Sequence, residues 1–550
     1  MASTTDGVPK YMGLSGTPLA YAVSIVLTFG FVLVGYDQGV MSGVISTPQW
    51  LGTLPQVDGN ATLLGFTVAI YDIGCLLGAL LSMALGDRLG RRKLCEIGGA
   101  LVIIGVVIQV TTFNKGDGSI ASSQSKGAFA QFLVGRIITG VGNGVNMATM
   151  PVLQAEISRS ARGSLVCLET GLIASGTMLA YWLNYGVRNY GSSFTWRFPI
   201  AFQCLLCGVY MVGVIFVPES PRWLCKNERV DEAARVMASV NNEPIQSPRT
   251  QSDIRAILDA IALENQVGSQ FRLRDLTSGG PSQHFRRLLL GISSQLFQQV
   301  GGCNAVIYYV PILVQTSLGK SADYSLLLGG INMVVYAIFS LVSFWAVERI
   351  GRRKLFLIGS AGQCIAMVIT FACIIPNNPT AANGALFGIF LYIAVFGATY
   401  LTVPWLYATE INPLRTRAKG AAAANVVNWS MNFLIVMVTP IMVANIGWGT
   451  YLFFGAVNFL FLPFIYFFYP ETSHRTLEEI DLIFAKGYTE KISYVRAAKE
   501  LPKLSVEDME RIALEYGLIS ADDLKHSAPG TGFLAEKNAA EHVESDSTNV

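Results

Sequence analysis

Charged residues are scarce in this chain of 550 residues. Lysine, arginine, aspartate and glutamate together make up 14% of it, whereas 52% is hydrophobic, and the formal net charge is +2. A composition this apolar excludes a single water-soluble domain and indicates a polytopic protein of the lipid bilayer. No basic run interleaved with aromatic residues is present, so we expect no nucleic-acid partner.

Sequence patterns of catalytic and nucleotide-binding sites are also missing. The four histidines lie outside the long apolar stretches, and there is no HExxH motif, nucleophile elbow or metal-spaced histidine and cysteine cluster. The segment "GKS" at 319–321 resembles the end of a P-loop, but Val314 stands where the leading glycine belongs. We therefore expect neither an enzyme nor a nucleotide-driven pump, and no cofactor or metal ion.

Long apolar stretches, by contrast, are abundant. A helix that spans a bilayer needs about 20 predominantly apolar residues. Twelve stretches reach such a length, at 19–44, 62–86, 94–113, 128–154, 164–187, 198–217, 288–316, 324–346, 355–375, 384–409, 421–445 and 447–469. We predict an all-α membrane protein with twelve transmembrane helices, called spans 1 to 12 below.

The distribution of lysine and arginine predicts the orientation of these spans. Both residues concentrate between spans 2 and 3, 4 and 5, 6 and 7, 8 and 9, and 10 and 11. The opposite side carries only Lys115, Lys126, Arg188, Arg197 and Lys320. By the positive-inside rule, both termini are expected in the cytoplasm. None of the nine cysteines falls in a predicted outer loop, so no disulfide framework is expected.

Three motifs recur in the same order along the chain. They are "DRLGRRK" at 87–93 with "ERIGRRK" at 348–354, "AEISRSARG" at 155–163 with "TEINPLRTRAKG" at 409–420, and "PESPRWL" at 218–224 with "PETSHRTL" at 470–477. The spacing between the copies is nearly constant, at about 250 to 260 residues. Such a pattern indicates a duplicated six-helix half, giving two pseudo-symmetric halves.

The repeat also divides the chain. Between the halves lies a polar segment with helix-like apolar spacing, which predicts a cytoplasmic helical insert. The polar tail after span 12 is predicted to form a short helix near "SVEDMERIALEYG". The predicted divisions are an N-terminal tail (1–18), an N-terminal half (19–217), the insert (218–287), a C-terminal half (288–469) and a C-terminal tail (470–550).

One carboxylate, Asp37, stands inside span 1 in the stretch "GYDQGVMSG" at 35–43. A charge at the bilayer centre costs about 3 kcal/mol or more unless it is paired, protonated or facing water. The only basic residue inside any predicted span is Arg136 of span 4, so an ion pair would satisfy both groups. This pair is either a permanent salt bridge that fixes helix packing or a breakable one that lets Asp37 take up a proton.

Two other acids are alternative proton sites. Asp72 lies in the outer part of span 2 and Glu169 near the cytoplasmic start of span 5, where each is close enough to a span end to reach water. Asn60 begins a glycosylation sequon in the first outer loop, which is accessible only if span 2 begins after it.

Span 7 is rich in amides. In "QLFQQVGGCNAVIYYVP", Gln298, Gln299 and Asn304 surround two adjacent glycines that predict a break in the helix, and Tyr308 follows four residues later. Such amides are costly in lipid and must line a polar interior, where they suit a ligand with many hydroxyls and no charge. The alternative is that they only join neighbouring helices.

The chain resembles the sugar porter family of the major facilitator superfamily over about residues 18–480. The resemblance is carried by "DRLGRRK" and its repeat, "GRIITGVGNG" at 135–144, "PESPR" at 218–222, "FQQVGGCNAVIYY" at 297–309 and "PET" at 470–472. "GYDQG", "AIYDIGC" and "ETGLIASG" are most similar to the fungal branch of hexose transporters and polyol (glycerol) proton symporters. The resemblance implies the major facilitator fold.

The resemblance also implies roles for individual residues. Asp37 is similar to the proton-accepting aspartate of symporters in the family, and Arg136 to its partner. Substrate contacts are implied for Gln298, Gln299, Asn304, Asn332, Trp405 and Asn428, and a gate for Tyr308 and Trp429. Thr170 is predicted as a further substrate contact; it stands where bacterial and animal members have a glutamine in span 5, so one expected amide is replaced.

The repeated basic motifs lie at inner helix ends, on the same side as several acids. An ion-pair network is predicted there from Arg91, Arg92, Glu156, Arg162, Glu219, Arg352, Arg353, Glu410, Arg417 and Glu471. Such a network could lock the cytoplasmic side while the outer side is open. The alternative is that these arginines only set the topology.

The expected function is that of a secondary active transporter. It would import a neutral monosaccharide, a hexose in the first place, across the plasma membrane by alternating access, as a monomer and with proton symport through Asp37. Yeast hexose facilitators are similar at Asp37, so a facilitated-diffusion carrier is an alternative. A polyol (glycerol)/proton symporter and a non-transporting sugar receptor are the others.

Overall fold

The computed structural model describes residues 8–113, 123–157, 162–268, 278–376, 378–413, 416–504 and 506–518. These ranges are almost entirely helical, and the only β-type pairing within them is an isolated bridge between Tyr11 and Leu14. The helices are α1 (Thr17–Val44), α2 (Pro48–Thr53), α3 (Ala61–Leu89), α4 (Arg91–Val110), α5 (Ser123–Ile157), α6 (Arg162–Val187), α7 (Phe194–Phe216), α8 (Pro221–Lys226), α9 (Val230–Asn241), α10 (Pro248–Gly268), α11 (His284–Val300), α12 (Cys303–Leu318), α13 (Ala322–Ile350), α14 (Arg352–Ile374), α15 (Pro379–Ala398), α16 (Val403–Glu410), α17 (Arg417–Ile446), α18 (Gly449–Phe468), α19 (Leu477–Thr489), α20 (Tyr494–Glu500) and α21 (Val506–Glu515).

The predicted all-α fold with twelve spans is confirmed. Ten helical segments of the described ranges are long and apolar enough to cross a membrane, one of them running from Thr380 to Glu410 through α15 and α16. Span 4 corresponds to α5. It is not among the ten segments, because Arg136 and neighbouring amides lower its mean hydropathy. Span 7 is divided into α11 and α12, each shorter than a full span. The chain is therefore a multi-pass membrane protein.

The two halves pack in equivalent ways. In the first half, α1 packs against α6 and α7, while α4 packs against α5 and α7. In the second half, α11 packs against α17 and α18, while α14 packs against α15 and α18. The contacts between the halves are also equivalent, since α3 packs on α17 and α6 packs on α13. This packing matches the duplication that the repeated motifs indicate.

Close packing around α5 explains the glycines of "GRIITGVGNG". A Cβ atom at Gly140 or Gly144 would overlap the backbone of α3, and one at Gly142 would overlap the backbone of α4. Small residues let membrane helices approach closely. The glycines therefore hold α5, the helix that carries Arg136, in the centre of the first half.

Spans 7 and 10 are each interrupted. Between α11 and α12, Gly302 has a φ of +99°, a left-handed conformation that favours glycine. The carbonyl of Gly301 accepts hydrogen bonds from Tyr392 Oη and Asn458 Nδ2, both at 2.9 Å. Span 10 is interrupted between α15 and α16, just before Pro404. Such irregular backbone is tolerated at membrane depth because protein groups satisfy it.

Further helices cover the end of the bundle where the repeated motifs lie. Helices α8, α9 and α10 belong to the segment between the halves, and the N–H of Gly16, just before α1, donates to the carbonyl of Ser239 in α9 at 2.7 Å. In the tail, α19 packs against α20 and α21. Arg287 of α11 pairs with Asp481 of α19 at 2.5 Å. Helix α21 lies where a short tail helix is predicted, and residues from 519 onward lie outside the described ranges.

Asn60, which begins the predicted glycosylation sequon, lies just before α3. Its side-chain oxygen accepts a hydrogen bond from the N–H of Leu63 at 3.0 Å, so it caps the helix, and the residue is exposed. Helix α3 begins at Ala61, inside the sequon, so Asn60 lies before span 2 while the other two residues of the sequon belong to its first turn. Glycosylation itself stays a prediction.

Candidate substrate and proton site

Asp37 of α1 and Arg136 of α5 form an ion pair inside the first half. Arg136 Nη1 lies 2.8 Å from Asp37 Oδ1, and both side chains are fully buried. The second guanidinium nitrogen donates to the carbonyl of Val68 at 3.3 Å, and the guanidinium lies 4.7 Å from the centre of the Tyr71 ring. A buried ion pair is tolerated when such additional contacts satisfy its remaining polar atoms.

Asn143 completes the surroundings of the Asp37 carboxylate. Its Nδ2 atom donates to Asp37 Oδ2 at 2.9 Å and approaches the hydroxyl of Tyr71 at 3.1 Å. Asn143 follows Arg136 by two helical turns, so both project from the same face of α5. Asn143 is not among the residues predicted from the sequence, although an amide seven positions after a lone arginine is a usable signal.

Gln298 and Asn428 connect spans 7, 10 and 11. Gln298 Nε2 donates to the carbonyls of Tyr400 and Leu401, at 2.7 and 3.2 Å, within the interruption of span 10. Asn428 Nδ2 donates to Gln298 Oε1 at 2.9 Å and to Gln295 Oε1 at 2.6 Å. These amides therefore hold the broken span 10 and span 11 against span 7.

A chain of hydrogen bonds runs from span 7 to an acid of the other half. Asn304 Nδ2 donates to Gln299 Oε1 at 2.6 Å and to Asn432 Oδ1 at 2.7 Å. Asn432 Nδ2 in turn donates to Asp72 Oδ1 at 3.1 Å. Asp72 belongs to α3 and Asn432 to α17, so the chain bridges the two halves. Asn432 was missed by the sequence analysis, although it follows Asn428 by one helical turn.

Three of the predicted substrate and gate residues have buried polar atoms without a partner among the described residues. Among the described residues, no hydrogen bond is made by either amide atom of Asn332, by the hydroxyl of Tyr308 or by the indole Nε1 of Trp429. All three side chains are buried, and Trp429 packs against Tyr71, the ring beside Arg136. Each unpaired buried group costs about 1–3 kcal/mol. A neutral ligand with several hydroxyls can satisfy such donors and acceptors.

Other predicted residues lie towards the start of α6. Thr170 Oγ1 is 2.8 Å from Thr402 Oγ1, which is 3.1 Å from Ser343 Oγ, so a hydroxyl cluster joins the two halves. Glu169 is 6% exposed, and no described residue forms a hydrogen bond or ion pair with it.

Trp405, a predicted substrate contact, is half-buried in α16. Within the described ranges, no hydrogen bond joins its indole to the amides of span 7.

The repeated acids cap two helices at one end of the bundle. This end is called the basic end and is defined by Arg91, Arg92, Arg352 and Arg353. Glu219 accepts hydrogen bonds from the first two backbone N–H groups of α4, at 3.0 and 3.2 Å. Glu471 accepts from the corresponding groups of α14, at 2.8 and 3.2 Å. The first N–H groups of a helix lack helical partners, and the helix dipole favours a negative charge there.

The arginine side chains of the basic end divide among different partners. Arg91 Nε lies 3.6 Å from Glu156 Oε2 in the first half. Arg352 Nη2 lies 3.0 Å from Glu410 Oε1 in the second. Each of these two ion pairs therefore joins helices of a single half.

The remaining arginines of the predicted network have other contacts. Arg92 pairs with Glu96 at 3.0 Å, and Arg353 donates to the carbonyl of Tyr466 at 2.8 Å. Arg417 Nε reaches the carbonyl of Asn412 at 3.4 Å. Arg162 begins α6, but its side chain lies outside the part of the chain that the structure describes. A locking role of the network stays a prediction.

Two contacts join the halves towards the end opposite the basic end. Tyr181 Oη donates to the carbonyl of Ile307 at 2.6 Å, which joins α6 to α12. Arg188 Nε lies 3.5 Å from Asp323 Oδ1, which joins the end of α6 to the start of α13. The amide chain of spans 7 and 11 thus lies between these contacts and the hydroxyl cluster around Thr402.

Two equivalent six-helix halves around buried amides, with an internal ion pair, define a polytopic transporter of the major facilitator type. The chain matches the family model described as "Sugar (and other) transporter" over residues 23–484, and it belongs to this family. It is therefore a sugar transporter of the major facilitator superfamily and not an enzyme.

Individual relatives agree with this assignment. The chain is 40% identical to "Sugar transporter STL1" of Saccharomyces cerevisiae over 522 residues, covering 94% of this chain and 89% of the relative. It is also 40% identical to "Major facilitator superfamily transporter mfsA" of Aspergillus fumigatus, covering 93% and 94% of the two chains. Among solved structures, the inward open xylose transporter XylE from E. coli matches with a TM-score of 0.68 and 26% identity, over 84% of this chain and 99% of the other.

Proposed function

We propose that this chain imports a neutral monosaccharide, with hexoses as the substrate class, by alternating access and together with protons. The observation that carries the proposal is the buried amide chain of spans 7 and 11, together with the unpaired buried polar atoms of Asn332, Tyr308 and Trp429. Together these groups offer donors and acceptors without a net charge. Similarity to a galactose transporter of Saccharomyces cerevisiae, at 31% identity over 84% of this chain, supports a hexose.

Asp37 is the proposed proton-binding group. In the ionised state its carboxylate is held by Arg136 at 2.8 Å and Asn143 at 2.9 Å. Protonation removes the charge that neutralises Arg136 and leaves the guanidinium buried with only the Val68 carbonyl and the Tyr71 ring. Removing one partner of a buried ion pair costs about 3–5 kcal/mol. A rearrangement of the first half that gives Arg136 other partners relieves this cost, so proton binding favours movement.

Alternating access needs contacts between the halves that can open at either end. We assign the outer gate to the Tyr181–Ile307 and Arg188–Asp323 contacts, and the inner gate to the hydroxyl cluster of Thr170 and Thr402. Neither set contains a fully buried ion pair, so each can be exchanged for water at modest cost. Tyr308 and Trp429 stay the proposed gate residues beside the substrate.

We further propose that the protein works as a monomer in the plasma membrane, with the basic end and both termini in the cytoplasm. The described helices of the segment at 218–287 and of the tail at 470–550, α8 to α10 and α19 to α21, then lie on the cytoplasmic side of the two halves at 19–217 and 288–469. This orientation follows from the concentration of lysine and arginine on that side. The arginines of the basic end would both fix the topology and restrain the inner helix ends.

A polyol is the second candidate substrate class. The first half lacks the span 5 amide of other members, and Thr170 in its place is already hydrogen-bonded to Thr402 at 2.8 Å. Fewer contacts for a hexose ring remain on this side, which favours a smaller polyhydroxyl compound such as glycerol. A competition panel of hexoses, pentoses and polyols against one labelled substrate decides between the two classes.

Transport and coupling are tested in one experiment. The full chain is expressed in a host that lacks its own sugar uptake, and the pH of an unbuffered medium is recorded when substrate is added. We expect uptake of labelled substrate together with alkalinisation of the medium. Good uptake without alkalinisation identifies a facilitated-diffusion carrier. Binding at the cell surface without uptake identifies a receptor.

A further inference from the structure

Asp72 is a second buried carboxylate near the centre of the molecule, and the ion pair of the first half does not use it. Its side chain is fully buried in α3. Its Oδ1 atom accepts one hydrogen bond, from Asn432 Nδ2 at 3.1 Å. Its Oδ2 atom has no partner among the described residues.

Among the described residues, no cation forms an ion pair with Asp72, and Arg136 acts on it only from a distance. Arg136, the basic side chain of the same region, is bonded to Asp37 at 2.8 Å and to the Val68 carbonyl. A buried carboxyl group with a single neutral hydrogen bond is unfavourable, and it is relieved by a further donor. In a carrier of neutral solutes, a substrate hydroxyl is such a donor.

The position of Asp72 is that of a substrate contact. Through Asn432 it is linked to Asn304 and Gln299, at 2.7 Å and 2.6 Å along the chain of hydrogen bonds. A ligand that binds the amides of span 7 would therefore lie near the carboxyl group of Asp72, which belongs to the first half. Thr170 does not fill this role here, because its hydroxyl is bonded to Thr402.

We propose that Asp72 binds substrate, with Oδ2 forming a hydrogen bond with one hydroxyl of the bound sugar or polyol, which can donate to the carboxylate or accept from the protonated group. The inference rests on the proposed function and extends it by naming the contact that the first half makes with the substrate. Because Asp72 and Asn304 belong to different halves, a ligand that engages both draws the halves together. The contact thus connects substrate recognition with closure around the substrate.

The test compares substrates that lack one hydroxyl with variants that lack the Asp72 carboxylate, and it uses the purified full-length protein. Binding is measured for D-glucose with its monodeoxy derivatives and for glycerol with 1,2- and 1,3-propanediol. The variants are Asp72→Ala and Asp72→Asn, the second of which keeps the shape and one acceptor oxygen. Ser82→Ala is the matched control, because it removes a buried hydrogen bond between α3 and α5, to Thr149 at 2.8 Å, away from the amide chain.

We expect one deoxy compound to bind wild type about ten- to a hundredfold more weakly than its parent. In Asp72→Ala the parent should lose a similar factor, and the difference between the parent and that compound should disappear. Asp72→Asn should show a smaller loss of affinity. Ser82→Ala should rank the compounds by affinity in the same order as wild type.

Two results overturn the inference. The first is unchanged affinity of the Asp72 variants; if concentrative uptake into proteoliposomes is then lost in Asp72→Asn, the residue is a proton site. The second is an equal loss of affinity for every compound, which marks a structural role. If wild type binds none of the sugars and polyols, the proposed function fails as well, so the two failures are distinguishable.

Discussion

Asp37 and Arg136 lie 2.8 Å apart without solvent exposure, and both belong to the first half of the molecule. The pair therefore does not act as a latch between the halves. If Asp37 binds the proton as proposed, a change of protonation there would act on the packing of α1 against α5, and the first half would pass the effect to the contacts that α3 and α6 make with the second half. The proposed proton site would then affect the proposed gates without contacting the substrate.

Asp37→Asn should abolish accumulation against a gradient and spare exchange. The amide keeps the shape and can still accept from Asn143, but it cannot gain or lose a proton. Uptake and counterflow are measured in proteoliposomes with and without an imposed proton gradient. We expect uptake in the variant to become independent of the gradient. Asp58→Asn, in an exposed loop, is the matched control. Gradient-driven accumulation by Asp37→Asn at the wild-type level would contradict the proton role.

Gln299→Ala should weaken substrate binding. Gln299 Oε1 accepts from Asn304 at 2.6 Å, so truncation both removes a contact for the ligand and leaves an Asn304 donor with one partner fewer. The loss of one or two hydrogen bonds corresponds to about 1–3 kcal/mol, or about ten- to a hundredfold in affinity. The comparison is with Gln246→Ala, an exposed glutamine before α10. Equal affinities of the two variants would exclude a substrate role for the span 7 amides.

Parts of this site could be predicted because the sequence contains few residues that could play each role. Asp37 and Arg136 are paired by elimination, since one cation lies within the predicted spans. The break in span 7 follows from two adjacent glycines, and Gly302 does take a left-handed conformation. The fold follows from the length of the apolar stretches and from the repeated motifs. In each case a local pattern carries the information.

Other parts depend on contacts between distant segments. Asn432 is one of several amides in span 11, and only the packing of α17 on α3 places it beside Asp72. Glu219 and Glu471 were expected to meet arginine side chains, but both accept from backbone N–H groups, which a pattern of charges does not reveal. The sequence alone therefore predicts which charged residues lie at one end of the bundle, but it does not predict the groups with which they interact.

Glu471→Gln should lower the stability of the second half. The carboxylate accepts two N–H groups at the start of α14, and replacing it with an amide removes a negative charge from a helix N-terminus. We expect a loss of about 1–2 kcal/mol and a lower Tm of the purified protein. Glu219→Gln should have a similar effect at α4. The control is Glu228→Gln, at an exposed position. A Tm of both cap variants equal to that of the control would show that the caps contribute nothing.

The interruption of span 7 can be tested through the conformation of one glycine. Gly302 has a φ of +99°, and a Cβ atom there would lie 2.7 Å from the Phe454 ring. Gly319→Ala is a matched control, because Gly319 also has a positive φ, of +62°, but a Cβ atom would meet nothing within 4 Å. Left-handed strain alone costs an alanine about 1–2 kcal/mol, so both variants should be somewhat less stable.

Only Gly302→Ala combines this strain with an overlap at the junction that positions the amides of span 7. We therefore expect Gly302→Ala to reduce the maximal rate of transport severalfold beyond Gly319→Ala, measured as initial uptake per molecule at the cell surface. Rates that fall equally in the two variants would mean that the interruption tolerates a side chain. The junction would then act as a fixed bend, and movement during transport would have to occur elsewhere, with the break in span 10 before Pro404 as the next position to test.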